Sequence, residues 1–112
     1  DLLKEVSNLT RPDIPEVMRT KGDILMMLNR DEEARQTLTE ARTLAERIGA
    51  KHELWPILSS LATLESKSGK SKESESLRAE ARKIAEEIAR TLPEPGLRDA
   101  FLSRPQVQAL TR

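Results

Sequence analysis

The chain contains a ten-residue segment that occurs twice in nearly the same form. It reads EARTLAERIG from residue 40 and EARKIAEEIA from residue 80. Ala, Glu and Arg are frequent in any exposed helix, but small residues outside the copied segment keep the same offset of 40, since Gly22 corresponds to Ala62 and Asn29 to Gly69. A fixed period of this size is typical of helical repeat proteins, in which each repeat packs against the next.

Helix-start and helix-stop residues predict one helical hairpin in each period. The first hairpin is expected at residues 14–28 and 31–49, with Asp13 and Asp31 as N-terminal caps. The second is expected at residues 52–69 and 71–92, with Ser71 capping its second helix. Pro56 is predicted to lie still inside the first turn of the third helix, where a missing N–H is tolerated. The short turns make the helices of each hairpin antiparallel neighbours.

Each predicted second helix has one apolar stripe with the spacing of a buried helix face. The stripes comprise Ala34, Leu38, Ala41, Ala45 and Ile48 in the first hairpin, and Leu77, Ala81, Ile84, Ala85 and Ile88 in the second. Small side chains are expected at close helix contacts, at Gly22, Ala34, Ala41, Ala62, Ser74 and Ala81. The core is therefore aliphatic, and the single Trp55 either packs between the hairpins or anchors a partner, with packing the favoured interpretation.

The string G-x2-L-x8-A-x3-L-x2-A, which runs from Gly22 to Ala41, resembles the signature of the tetratricopeptide repeat. The second copy departs from this signature, because Glu65 and Arg78 occupy positions where the family prefers large apolar side chains. A one-residue shift would let Leu77 replace Arg78. The period of 40 also exceeds the family's roughly 34 residues. The resemblance spans residues 15–90 and implies an all-α fold in which antiparallel helical hairpins stack as a solenoid.

The two ends of the chain are predicted to complete this array. Residues 1–9 have helical apolar spacing and are expected to be the tail of a preceding repeat helix. Residues 94–112 are predicted to form a C-terminal capping helix over the second hairpin, with Leu97, Phe101, Leu102, Val107 and Leu110 in the contact. The first hairpin has only the short tail as cover, so self-association through this N-terminal edge is expected.

Composition narrows the partners and the chemistry. Lys plus Arg and Asp plus Glu each number 19, so no net charge favours nucleic acid or an anionic membrane. The chain has no Cys, which fits the cytoplasm, and no apolar run approaches the roughly 18 to 20 residues of a membrane span. His52 is the only His and is predicted to be a surface residue rather than a metal ligand or general base. No phosphate-binding loop or catalytic constellation is recognisable, so neither an enzyme nor a cofactor is predicted.

The leading hypothesis is a non-catalytic module that binds protein or peptide segments within a larger regulatory protein. The block TLPEPGLRDAFLSRPQVQAL resembles the C-terminal ends of large bacterial proteins that carry an ATPase, cyclase or kinase before a helical repeat array. The alternative hypothesis is a structural spacer or oligomerisation element for an upstream enzymatic or DNA-binding domain.

The resemblance to tetratricopeptide repeats implies a binding face built from the first helix of each hairpin. Its residues would be Glu16, Arg19, Asp23, Met26, Met27, Ser59, Thr63, Ser66 and Lys67. At least one of the two Met side chains is expected to fill the core instead. Arg19 and Lys67 are the only cations in this set and no Asn joins them. The clamp by which chaperone-binding members of the family hold a C-terminal carboxylate is therefore not expected here.

Overall fold

The computed structural model describes residues 14–111, and every regular element in this range is helical. The elements are α1 Pro15–Met27, α2 Asp31–Ile48, α3 Lys51–Lys67, α4 Ser71–Thr91, α5 Pro95–Leu102, α6 Pro105–Gln108 and a final 3-10 turn Ala109–Thr111. The lack of strands between residues 14 and 111 confirms the predicted all-α class. The predicted helical tail at residues 1–9 and the predicted cap Asp13 lie outside the described residues.

The three turns that connect α1 to α4 share one backbone conformation. Each contains a residue in the left-handed region, with φ of 61° at Asn29, 72° at Gly49 and 80° at Gly69. The N–H of the next residue donates to the carbonyl oxygen five residues earlier, over 2.8 to 2.9 Å. This arrangement is the Schellman motif, which closes a helix end and favours Gly or Asn at the left-handed position. The helices therefore stop where the sequence predicts.

Two predictions about where helices begin are wrong. Asp31 and Ser71 are not N-caps but the first helical residues of α2 and α4, which follow Arg30 and Lys70. The Schellman turn leaves a single residue between the left-handed position and the next helix, so the chain is already helical at residues 31 and 71. The Asp31 carboxylate accepts a hydrogen bond from the Lys67 ammonium over 3.1 Å instead of capping its own helix.

Pro56 lies deeper in α3 than the sequence predicts. The helix begins at Lys51, so Pro56 falls in the second turn and cannot donate to the carbonyl of His52. The helix nevertheless continues, and Ile57 and Leu58 directly after the proline have no exposed surface. Burial of this segment between the hairpins offsets the missing backbone hydrogen bond.

Small residues bring the helices of each hairpin close together, as predicted. The six predicted contact residues are all buried: Gly22, Ala34, Ala41, Ala62, Ser74 and Ala81. A Cβ atom on Gly22 would lie 2.6 Å from Cγ and Cδ2 of Leu38, so only Gly fits where α1 meets α2. In the second hairpin the buried Ser74 hydroxyl donates to the Ala62 carbonyl oxygen over 2.8 Å and links α4 to α3.

The core consists of two apolar clusters that meet at α3. Cluster one joins α1, α2 and α3 through Leu25, Ala34, Leu38, Ala41, Ala45, Ile57, Leu61 and Leu64. Cluster two joins α3, α4 and the C-terminal segment through Trp55, Leu58, Ala81, Ala85, Ile88, Ala89, Phe101, Val107 and Leu110. Leu54 and Leu77 pack against both clusters, so Leu77 supplies the apolar contact beside the partly exposed Arg78, as the one-residue shift predicts.

The C-terminal segment packs on α3 and α4 through its later residues. Phe101 meets Trp55 edge to face, with ring centroids 6.0 Å apart and planes at 87°. Trp55 is only 6% exposed, which confirms that it packs. Leu97, however, is 50% exposed, so its predicted place in the contact is wrong. The physical reason is that only the last turn of α5 reaches the core, since residues 95–100 are all exposed.

Ile48 is a second correction to the predicted core. It lies at the end of α2 and is 57% exposed, whereas the other members of its stripe from Ala34 to Ala45 are fully buried. The spacing of the stripe is correct, but no described element packs over this last position. Burial of the stripe therefore ends one turn before the helix does.

Candidate peptide-binding surface

The nine residues predicted for the binding face lie on α1 and α3, and these two helices pack against each other. We call this set the α1/α3 surface. Its exposed members are Glu16, Met27, Thr63, Ser66 and Lys67, and its partly exposed members are Arg19, Asp23, Met26 and Ser59. Most members on each helix are three or four residues apart and form one row of side chains, and the last two on each helix are adjacent in sequence.

The Lys67 ammonium holds the end of α3 against the turn between α1 and α2. It donates to the Met26 carbonyl oxygen over 3.1 Å and to Asn29 Oδ1 over 3.0 Å. It also forms an ion pair with Asp31 Oδ1 at 3.1 Å. An ammonium group has three donors, and these three contacts occupy them. Lys67 therefore acts as a link between the hairpins rather than as a free cation for a ligand.

The two methionines differ in the way that the sequence predicts. Met26 packs against cluster one, whereas Met27 is 80% exposed. A neighbouring pair, Arg19 and Asp23, lies one helical turn apart on α1, with Nη1 and Oδ2 separated by 3.3 Å. Both of these side chains remain partly open to solvent, so Arg19 retains donors that do not contact Asp23.

A groove of about 560 Å³ lies beside Arg19 and Ser59 and joins them to residues that were not predicted for the binding face. We call it the Arg19–Arg104 groove. It is lined by Arg19 of α1, by Trp55, Pro56, Ser59 and Ser60 of α3, and by Arg104 and Gln106 of the C-terminal segment. The structure thus brings two residues of the predicted face together with a third element. Met27, Thr63 and Ser66 lie outside this groove.

Sequence reasoning missed the contribution of the C-terminal segment for a physical reason. Ser60 and Pro56 adjoin Ser59 on the same helix, so helical spacing could have added them. Arg104 and Gln106 enter only because Phe101 packs on Trp55, a contact between residues 46 positions apart. No local pattern predicts such a contact.

A smaller depression of about 370 Å³ between α2 and α4 is bordered by ion pairs. Arg35 Nε donates to Glu65 Oε1 over 2.8 Å, Arg35 Nη2 donates to Ser68 Oγ over 3.1 Å, and Arg35 also pairs with Glu32. The hydrogen bond to Glu65 is the main cause that raises the pKa of Arg35 above its ordinary value. These charges fasten α2 to the end of α3, and the arrangement has a structural rather than a ligand-binding character.

The surroundings of His52 carry no recognisable metal chemistry. His52 is exposed near the start of α3, beside a depression of about 630 Å³ that Glu53 and Glu87 also line. The Glu87 carboxylate lies 3.6 Å from the Lys51 ammonium and so has a cationic neighbour. Within residues 14–111 no group of three or more His, Cys, Asp or Glu side chains is arranged to hold a metal ion.

Neither the hydropathy of the described helices nor comparison with known proteins indicates a function. None of the helices between residues 14 and 111 combines the length and the apolar character that crossing a bilayer requires. Comparison with protein-family models, with curated proteins and with solved structures found no match to the chain. The function must therefore be inferred from the α1/α3 surface and its groove.

Proposed function

We propose that the chain is a non-catalytic module of the tetratricopeptide type that binds a peptide segment of a partner protein on the α1/α3 surface. The observation that carries this proposal is the Arg19–Arg104 groove. Three separate elements line it, and it combines an aromatic side chain, two hydroxyls, an amide and two guanidinium groups. Binding sites commonly combine apolar walls with a few polar groups of this kind.

The repeat supports the same proposal. An offset of 40 residues separates the two copied segments of the sequence. The same offset separates the left-handed turn residues Asn29 and Gly69 and the buried small residues Ala41 and Ala81. In the proposed solenoid, α1 and α3 are the equivalent first helices of consecutive repeats. Equivalent helices side by side give an extended surface that suits a peptide better than a compact ligand.

The proposal includes a setting for the module. We take it to act in the cytoplasm as part of a larger regulatory protein, supported by the lack of Cys and by the resemblance of its C-terminal block. The alternative, a spacer or oligomerisation element, is supported by the exposed apolar side chains Ile14, Met27, Leu28 and Ile48 of the first hairpin.

Selection from a displayed library of short random peptides tests the proposal. Enriched peptides should bind the chain in solution, and Ser59→Tyr should weaken them by roughly tenfold, because Ser59 of the α1/α3 surface lines the groove and a bulky ring there blocks a peptide that enters it. Thr43→Tyr on α2 is the matched control. Thr43 is exposed and does not line the groove.

The outcomes separate the two functions. Enrichment that Ser59→Tyr reduces and Thr43→Tyr leaves unchanged supports peptide binding on this surface. No enrichment above an unrelated helical protein would remove the proposal. If the chain then sediments as a dimer whose formation Ile48→Ser abolishes, the oligomerisation alternative takes its place.

A further inference from the structure

The charged groups that line the Arg19–Arg104 groove are both cationic. They are the guanidinium groups of Arg19 and Arg104, and no carboxylate of the described residues lines the groove. The chain as a whole has no net charge, so this local excess of positive charge must come from the way the fold arranges its ions. A groove lined by one sign of charge attracts a ligand segment of the other sign.

Arg104 is the stronger indication of the two. Its guanidinium carbon lies 5.5 Å from the centroid of the Phe101 ring. Among residues 14–111, no carboxylate lies within ion-pair distance of it. Phe101 is itself fixed by its contact with Trp55. A planar guanidinium that rests on an aromatic ring keeps its hydrogen-bond donors in one plane and is suited to a bidentate contact with a carboxylate.

Arg19 supplies a second cation, and some of its hydrogen-bond donors do not contact Asp23. Its contact with Asp23 uses Nη1 at 3.3 Å, which leaves its other donors for a further acceptor. The Asp23 carboxylate also discriminates between ligands. It repels a phosphate that carries two charges more strongly than a carboxylate that carries one. Asp23 thus disfavours a phosphate at this end of the groove more than it disfavours a carboxylate.

The neutral groups of the groove suit an extended peptide. Ser59 and Ser60 contribute hydroxyls, and Gln106 contributes a side-chain amide. These groups can both donate to and accept from the main chain of a bound segment. Single-stranded nucleic acid is a poorer match, because its binding uses exposed aromatic side chains as stacking platforms and Trp55 is almost fully buried.

We propose that the Arg19–Arg104 groove binds an acidic peptide segment, with Asp or Glu side chains of the segment paired to the two guanidinium groups. This inference rests on the proposed function and adds the chemistry of the partner. It also assigns a binding role to the C-terminal segment, which the sequence predicted only as a cover. The segment both covers the second hairpin and delivers Arg104 to the groove.

The peptide library decides this inference if the peptides are displayed at internal positions, so that no free chain end contributes a carboxylate. Enriched sequences should be rich in Asp and Glu. A selected peptide should change the fluorescence of Trp55, because this residue lines the groove and is the only Trp in the chain. Replacement of its Asp and Glu by Asn and Gln should abolish the signal, and added salt should weaken binding.

Variants of the two arginines locate the contact. Arg104→Gln and Arg19→Gln should each raise the Kd of the acidic peptide by roughly tenfold, as expected for the loss of a charge-assisted hydrogen bond. Arg104→Lys keeps the charge but not the planar donors, and should give an intermediate loss. Arg47→Gln removes the same charge from an exposed position at the end of α2 and should change the Kd by less than about twofold.

The failure of this inference can be told from the failure of the proposed function. Enriched peptides that are apolar or basic, or an acidic peptide that binds the Arg104→Gln variant unchanged, would overturn the inference and leave peptide binding intact. The absence of any enriched peptide removes both. A peptide with phosphoserine in place of each Glu should bind no tighter than the parent, and a gain of more than about tenfold would assign the groove to phosphopeptides instead.

Discussion

The two hairpins carry the same residue type near the ends of their second helices, yet Ile48 is 57% exposed and Ile88 is 4% exposed. These residues occupy equivalent positions, 40 apart in the chain. Ile88 is covered because the segment after α4 returns over it with Phe101, Val107 and Leu110. The segment after α2 continues directly into α3 and leaves Ile48 open. Equivalent residues thus have different environments, because the segment after α4 covers the end of the second hairpin, whereas the segment after α2 leaves the end of the first hairpin open.

The interiors of the hairpins are much more alike than their ends. Ala41 and Ala81 have no exposed surface, and Ala45 and Ala85 are at most 1% exposed. Ala41 and Ala45 belong to cluster one, and Ala81 and Ala85 belong to cluster two, so the repeat places equivalent residues at equally buried sites. Solenoid proteins in general set their interior by the repeat and their ends by capping segments. The proposed solenoid arrangement would account for the difference between Ile48 and Ile88 in this way.

A third class of position differs inside the hairpins themselves. Leu25 is 2% exposed, and its equivalent Glu65 is 8% exposed and paired with Arg35. Gly22, which contacts Leu38, corresponds to Ala62 in the second hairpin. The second hairpin therefore has a partly buried ion pair where the first has an apolar side chain, and it has Ala62 where the first has Gly22. Its departures from the repeat signature are compensated by specific partners.

The largest expected effect tests the likeness of the interiors. Ala41→Glu and Ala81→Glu should each lower the free energy of unfolding by about 3 to 5 kcal/mol, because each introduces an unpaired charge at a fully buried site. Urea denaturation measured by circular dichroism gives both values. Similar values for the two variants would support equivalence of the hairpin interiors.

The matched control is Glu46→Ala on the exposed side of α2. Its carboxylate lies 3.6 Å from Arg42 Nε and is half exposed, so its removal should change stability by less than about 0.5 kcal/mol. If Ala81→Glu were tolerated as well as Glu46→Ala, the interior of the second hairpin would not be packed like that of the first.

Much of the fold was predictable because its signals are local. Gly49, Gly69 and Asn29 adopt left-handed backbone conformations that few other residues accept, so the ends of α1, α2 and α3 could be predicted directly. Small residues at the period of 40 identified the close helix contacts. In both cases the physical cause lies within one hairpin or one turn.

The remaining features depend on contacts between distant parts of the chain. Residue type alone does not predict that Ile48 is exposed and Ile88 is buried, because both are Ile at equivalent positions of the repeat. Asp is a residue type that often caps helices, but the Asp31 carboxylate accepts a hydrogen bond from Lys67 of the other hairpin instead. Arg104 lies in the groove only because Phe101 packs on Trp55. The sequence therefore predicts only part of the candidate site. Its rows of residues on α1 and α3 were predicted, whereas its residues from the C-terminal segment were not.

The next effect in size tests the contrast between the hairpin ends. Ile88→Ala should lower the free energy of unfolding by about 2 to 4 kcal/mol, because it removes buried methylene groups and leaves a cavity in cluster two. Ile48→Ala should change it by less than about 0.5 kcal/mol. Denaturant midpoints for the two variants give a direct ratio. A large cost for Ile48→Ala that grows with protein concentration would mean that a second copy covers Ile48, as the predicted self-association requires.

The smallest effect concerns two of the ion pairs that join the hairpins, Arg35–Glu65 and Arg42–Glu80. Glu65→Gln should lower the free energy of unfolding by about 1 to 2 kcal/mol, because Glu65 is nearly buried and its loss leaves Arg35 without its main partner. Glu80→Gln should cost less than about 1 kcal/mol, because Glu80 and its partner Arg42 are both about one-third exposed or more, and high salt should reduce this cost further.

The raised pKa of Arg35 determines how the stability gained from its ion pair depends on pH. This stability is fully present below the pKa of Arg35 in the unfolded chain, and it is lost only as the pH rises through the still higher pKa of the folded chain. The cost of Glu65→Gln should therefore stay constant as the pH rises through the neutral range. Equal and equally salt-sensitive costs for Glu65→Gln and Glu80→Gln would mean that the second hairpin gains nothing from burying its carboxylate where the first hairpin has Leu25.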